Sequence, residues 1–111
     1  MKHISYHQLP TASVIHNPAI TKRVILAKGE LPHLTNFSQA IFLPGQIAPA
    51  HSHDRMIEVF FCQRGWGRIT LDGIDHHLEE GDCLVVEPGE RHEVSNPATE
   101  PLLLLYFGIE I

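Results

Sequence analysis

Apolar residues in this chain fall in short runs rich in Val, Ile, Leu and Phe, separated by Gly and Pro, and helix signals are nearly absent. The residues up to about Pro18, which include Pro10 and Asn17-Pro18, read as an irregular lead-in reaching to about residue 22. Arg23–Ala27 is the first expected strand, closed by Lys28-Gly29, and Ser38–Leu43 the next, closed by the turn dipeptide Pro44-Gly45. Glu58–Gln63 follows. Gly67–Leu71 and Ile74–Leu78 flank Asp72-Gly73, the favoured sequence of a two-residue type I′ hairpin. Breaks at Glu80-Gly81-Asp82 and Pro88-Gly89 set off Cys83–Val86 and His92–Ser95, and Pro101 opens a last strand, Leu102–Ile109. Many short strands with short connections predict an all-β protein, an antiparallel β-barrel or jelly roll, with residues 38–109 as its barrel core.

Composition narrows this little, but charge and cysteine usage do more. At 111 residues the chain suits one domain, residues 1–111, with room for a true core. Its formal net charge of −5, with no basic cluster, argues against a nucleic-acid partner. The N-terminus, Met1 to Pro10, lacks the apolar region of a secretory signal, and the apolar stretch Leu102–Ile109 is too short to span a bilayer. A cytoplasmic location without membrane association is therefore expected. There Cys62 and Cys83, both in strand-like runs, would be buried thiols rather than a disulfide.

The nine histidines are the main chemical signal. His51 and His53 are two apart, so in a strand both side chains would point to one face and could offer two imidazoles to one ion. Glu58 opens the next strand after a short link, and His92, just past Pro88-Gly89, would reach the same point from a strand on the far wall. Three neutral imidazoles and a carboxylate suit one divalent transition metal (Fe, Mn, Ni, Zn or Cu) and disfavour Ca and Mg. Four protein ligands on an octahedral ion leave positions open for water, dioxygen or a chelating substrate. The other histidines take plainer roles: His3, His7 and His16 solvated in the lead-in, His33 in a loop, and of His76 and His77 at most one facing inward.

The spacing carries a resemblance. Gly45, five residues to His51-x-His53, four to Glu58 and six to Gly65 match the first motif of the cupin superfamily at every position. Gly81, Gly89, His92 and Asn96 match the second, with Glu87 where that motif has proline. The chain thus resembles a small single-domain cupin, which implies the cupin jelly roll (a double-stranded β-helix) and a mononuclear site of His51, His53, Glu58 and His92. Cupins include dioxygenases as well as Lewis-acid isomerases, lyases and decarboxylases. The resemblance therefore implies a small-molecule enzyme of one of these kinds, in which Glu58 serves as ligand or leaves the metal to act as a base. The alternatives are a cupin that captures or senses a small ligand without turnover, and a purely structural barrel. Phe60, Cys62, Tyr106 and Phe107 are candidate pocket walls, and Arg55 either grips a substrate carboxylate or stays solvated. A homodimer is expected, with the strand around Val24–Ala27 adding to a partner's sheet edge.

Overall fold

A computed structural model describes all 111 residues. After a single 3-10 turn at Tyr6–Gln8 the chain is all β: β1 (Ala12–Val14), β2 (Asn17–Ala27), β3 (Leu34–Phe42), β4 (Ile47–His51), β5 (Met56–Arg64), β6 (Trp66–Leu71), β7 (Ile74–Glu79), β8 (Cys83–Val86), β9 (His92–Ser95) and β10 (Leu102–Glu110). Six strands form one antiparallel sheet in the order β1-β2-β3-β10-β5-β8, and four form a second in the order β4-β9-β6-β7. The two sheets face each other as the jelly roll expected from the sequence. No helix is long and apolar enough to cross a membrane.

Strand alternation sets the two faces. Ala40, Leu104 and Cys62 are successive cross-strand partners on β3, β10 and β5, and all three are buried. Ile69 and Val94 are paired from the opposite sheet, and both are buried as well. With Ile20, Phe42, Phe60, Leu78, Val86 and Leu102 they make one core between the sheets. Truncating a side chain such as Leu104 to Ala in such a core costs about 2–5 kcal/mol.

Two local devices fix the geometry that the site depends on. Asp72 and Gly73 take φ of 47° and 83°, the double positive φ of a type I′ turn. The backbone N–H of Asp72 then donates to the carbonyl of Arg91 at 2.8 Å, and its carboxylate accepts from the Arg91 N–H at 3.0 Å. That clamp holds the β8–β9 connection immediately before His92. Asn96 is the second device. It is 1% exposed, its Nδ2 donates to the carbonyls of Phe42 and Glu100 at 2.8 and 2.9 Å, and its Oδ1 accepts from the Ala98 N–H at 2.9 Å.

The lead-in is more ordered than expected. Ala12–Val14 pair with β2, and β2 itself begins at Asn17, so Pro18 lies inside a strand. It is tolerated because residue 18 falls where the β1–β2 register shifts and has no cross-strand partner on either side. The apolar runs hid this hairpin because Ile20 is its one fully buried strand residue and the rest carry no alternation. Cys62 is a buried thiol as expected, with its Sγ 3.4 Å from the Gly65 carbonyl, but Cys83 is exposed, because it lies at the start of the edge strand β8.

Candidate metal centre

The first histidine is placed by strand pairing. His51 is the last residue of β4 and is the direct cross-strand partner of His92 on β9, so both rings leave the same face of the smaller sheet, with centroids 4.3 Å apart. His92 therefore stands beside β4 rather than on the far wall. His53 is also not on the strand of His51: it lies just beyond the end of β4, where its carbonyl accepts from the Gly89 N–H at 2.7 Å. That bond ties the first histidine motif to the second turn. Its ring meets those of His51 and His92 at 4.8 and 5.4 Å. Glu58 comes from β5 in the opposite sheet. Its neighbour on β10 is Gly108, where a Cβ would overlap Thr35 Oγ1 and the Met56 side chain. Thr35 and Met56 thus fill the space over Gly108 beside Glu58, and a larger residue there would have to displace them.

Donor atoms of His51, His53, Glu58 and His92 all lie within 4.8 Å of one another. The ring orientations fit metal ligation. His51 Nδ1 is 3.0 Å from the Pro49 carbonyl and His92 Nδ1 is 3.1 Å from that of Glu90. A carbonyl only accepts, so each Nδ1 carries the proton and each Nε2 is directed to the cluster, the usual outer support of a metal-bound imidazole. His53 Nε2 is buried and makes no hydrogen bond at all. A buried ring nitrogen without a partner is costly, and an ion beside it would satisfy it. Ligand distances of about 2.0–2.2 Å place donors on one ion no more than roughly 4.4 Å apart, so the set needs only a small contraction. The residues fit a borderline transition metal.

Charge within the cluster is uneven. Burial lowers the pKa of both His51 and His53, and for His51 repulsion from neighbouring rings adds to it. Burial also opposes charge on His92, but the Glu58 carboxylate, 3.2 Å from Nε2, outweighs it together with the Glu90 carbonyl, and the His92 pKa is raised. Both His92 nitrogens thus face acceptors, and a metal held here would take the place of a proton between His92 and Glu58.

Three of the four groups, His51, His53 and Glu58, lie on the wall of a cavity of about 350 Å³, whereas His92 is fully buried and not part of that wall. Phe60 and Tyr106 line it as expected, with their rings stacked at 5.9 Å. Burial raises the Tyr106 pKa to about 12, so its hydroxyl stays protonated at neutral pH. Cys62 faces inward but lies outside the cavity, and burial pushes its thiol up. Phe107 packs edge-on against Phe37, away from the cavity, because it is one residue out of phase with Tyr106. Arg55 is solvated, and both His76 and His77 are exposed on the edge strand β7, with His77 stacked on Trp66. Glu87, in place of a proline, donates its N–H to the Glu90 carboxylate at 2.6 Å, a bond that proline could not make.

Sequence reasoning missed His16. The tip of the β1–β2 hairpin folds over the opening, and the His16 ring stacks on His51 at 3.9 Å with 27° between planes. Ile15, Lys22 and Lys28 join it along the same wall. The Asn17-Pro18 pair signalled a turn there, but no local pattern indicated that this turn crosses to the metal ligands.

Comparison with known proteins agrees with this architecture. A family model described as a cupin domain (Cupin_2) matches residues 39–108. An uncharacterized protein of Methanocaldococcus jannaschii is 27% identical over 70 residues, covering 63% of this chain and 56% of its own. Gentisate 1,2 dioxygenase 1 of Aquipseudomonas alcaligenes is 27% identical over 63 residues, covering 57% of this chain and 18% of its own. The chain thus spans little more than half of one relative and under a fifth of the other. Among solved structures, a Thermotoga maritima protein described as a predicted oxalate decarboxylase superposes with a TM-score of 0.91 over 99% of this chain and 100% of its own, at 18% identity. With two facing antiparallel sheets, both histidine motifs and the matched family model, this chain belongs to the cupin family.

Proposed function

We propose that this protein is a metal-dependent enzyme acting on a small molecule, with one divalent transition metal held by His51, His53, Glu58 and His92. The orphaned His53 Nε2, buried among three further donors, is the observation that carries this reading. When bound, such an ion supplies Lewis acidity and open positions for a chelating substrate. The chain's own residues do the rest. The Pro49 and Glu90 carbonyls hold the His51 and His92 rings in place, and Phe42, Phe60, Val94 and Leu104 keep the inner wall apolar. The Tyr106 hydroxyl, protonated at neutral pH, donates a hydrogen bond to a substrate oxygen rather than abstracting a proton.

Metal identity selects the chemistry. Iron with oxygen consumption makes the protein a dioxygenase, a form supported by the similarity to gentisate 1,2 dioxygenase 1. Zinc, manganese or nickel makes it an isomerase, lyase or decarboxylase. A second reading, capture of a ligand without turnover, is favoured by one observation: beyond the ligand set, the titratable groups on the cavity wall are only His16, Lys22, Lys28 and Tyr106, with no second carboxylate. Elemental analysis of protein purified without added metal, followed by oxygen-uptake and turnover assays on catechols, diketones and thiols, tests all three. Absence of bound or bindable metal would remove the proposal, and a redox-inactive ion without oxygen uptake would remove the dioxygenase form.

We further infer a cytoplasmic location, supported by two unpaired thiols, and a homodimer joined through β2. The outer edge of β2 supports the dimer, because beyond Lys22 no strand pairs with it. A mass measurement in solution checks the dimer.

A further inference from the structure

Lys22 is an unusual residue for the place it occupies. Its cross-strand partner on β3 is Ala40, whose side chain is fully buried and whose own partner on β10 is the buried Leu104. Partners across a sheet leave the same face, so the Lys22 side chain leaves the inner face of the larger sheet. Ile20, two residues earlier on that strand, is fully buried. Lys22 is itself partly buried, lines the cavity that holds the histidines, and has neither a salt bridge nor a side-chain hydrogen bond. A partly buried lysine on a cavity wall, with no counter-ion of its own, has a charge that the fold itself leaves unmatched.

The charge balance of the wall extends this. The chain carries a net −5, yet the cavity is lined by two ammoniums, Lys22 and Lys28, against one carboxylate. That carboxylate is Glu58, already engaged with His92. A divalent ion would make the cavity more positive still. A neutral substrate would leave this field unbalanced, whereas an organic acid would complete it.

We propose that Lys22 is a substrate-binding residue and that the ligand of this cavity is a small organic acid with a second negative group, one end chelating the metal and the other meeting the Lys22 ammonium. The inference rests on the metal-centre reading above and adds the substrate class to it. Lys28, exposed in the β2–β3 turn, supplements the field at the entrance. A single charge-assisted hydrogen bond of this kind is worth on the order of tenfold to a hundredfold in affinity.

The test uses zinc-loaded full-length protein and two matched pairs of probes, titrated by calorimetry: 2-oxoglutarate against 2-oxopentanoate, and 2-oxoadipate against 2-oxohexanoate. Members of a pair share the chelating 2-oxo acid and differ in the distal carboxylate. At least one diacid is expected to bind wild type about tenfold or more tightly than its monoacid. Lys22→Met should erase that preference while leaving zinc affinity and monoacid affinity unchanged, and Lys22→Arg should restore most of it. Thermal unfolding gives a separate readout. Because Lys22 has no partner in the fold, Lys22→Met should melt at or above the wild-type temperature, whereas a structural lysine would lower it. Equal binding of diacid and monoacid in both pairs would overturn the proposal, as would a preference that survives Lys22→Met and disappears in Lys28→Met. Failure of wild type to bind zinc would instead show that the metal-centre reading itself had failed.

Discussion

The unpartnered Nε2 of His53 makes the metal-centre reading testable through stability alone. Replacing His53 with Leu removes a buried nitrogen that makes no hydrogen bond and keeps a side chain of similar size. An unsatisfied buried polar atom costs about 1–3 kcal/mol. Some apolar surface of the leucine will remain in water, because His53 is only partly buried. The expected net gain for metal-free protein is about 1 kcal/mol, or roughly 4 °C in melting temperature for a domain of this size. Metal reverses the order. At an ion concentration a hundredfold above its dissociation constant, wild type gains about 2.7 kcal/mol, roughly 11 °C. The variant, left with three donors, gains far less. Scanning calorimetry on chelator-treated and metal-loaded samples of both proteins should therefore show their melting temperatures crossing. If His53→Leu melts several degrees below wild type in chelator, or gains as much as wild type from metal, His53 is a structural residue and the reasoning fails.

Metal affinity should fall as pH drops, beginning above 6.5, because His92, whose pKa is raised by Glu58, is the last of the three rings to give up its proton. His51 and His53, lowered by burial, stay neutral further into acid, so log affinity should change by about one per pH unit just below the His92 pKa and more steeply beyond. An affinity flat from mildly acidic to neutral pH would contradict the site. In metal-free protein the signs oppose: His92 contributes stability that is present below 6.5 and lost as pH rises through its raised value, whereas that from neutral His51 and His53 is lost as pH falls from 6.5 through their lowered values. Melting curves of His92→Gln and His51→Gln against pH, each compared with wild type, separate the two. Asn96→Ala leaves the Phe42 and Glu100 carbonyls and the Ala98 N–H without its side chain, and should cost about 2–4 kcal/mol in urea unfolding at unchanged slope; a loss below about 0.5 kcal/mol would show the knot to be dispensable. Cys83 should react with a thiol reagent in native protein and Cys62 only after unfolding, and equal rates would contradict their placement.

What could be read from the sequence was whatever local chemistry encodes. Asp72-Gly73 specified its turn because few other residues accept positive φ at both positions. The alternating runs from Ser38 onward marked their strands, and the spacing of His51, His53, Glu58 and His92 marked four candidate ligands that the structure brings together. Relations between distant strands were not legible. That His92 stands beside His51 follows from β9 pairing with β4, a register that no local pattern states. His16 reaches the cavity because the tip of the β1–β2 hairpin folds across the mouth, and Lys22 because β2 pairs with β3, and that hairpin has too few buried positions to show as strand. Phe107 and Tyr106 differ by one position in a continuous apolar run, where alternation cannot say which faces inward. Cys83 was misplaced for a related reason, since an edge strand leaves one face open to solvent.

The division of the ligands between the sheets has a consequence for the life of the protein. His51 and His92 belong to one sheet and Glu58 to the other. The sheets are joined by packed side chains, by the Asn17 Nδ2 donating to the Ile47 carbonyl at 2.9 Å, and at the candidate metal centre by the His92–Glu58 pair at 3.2 Å. An ion bound at that point would act as a rivet through the seam. Protein stripped of that ion is expected to open first at the mouth, so limited proteolysis should cut it faster without metal than with it.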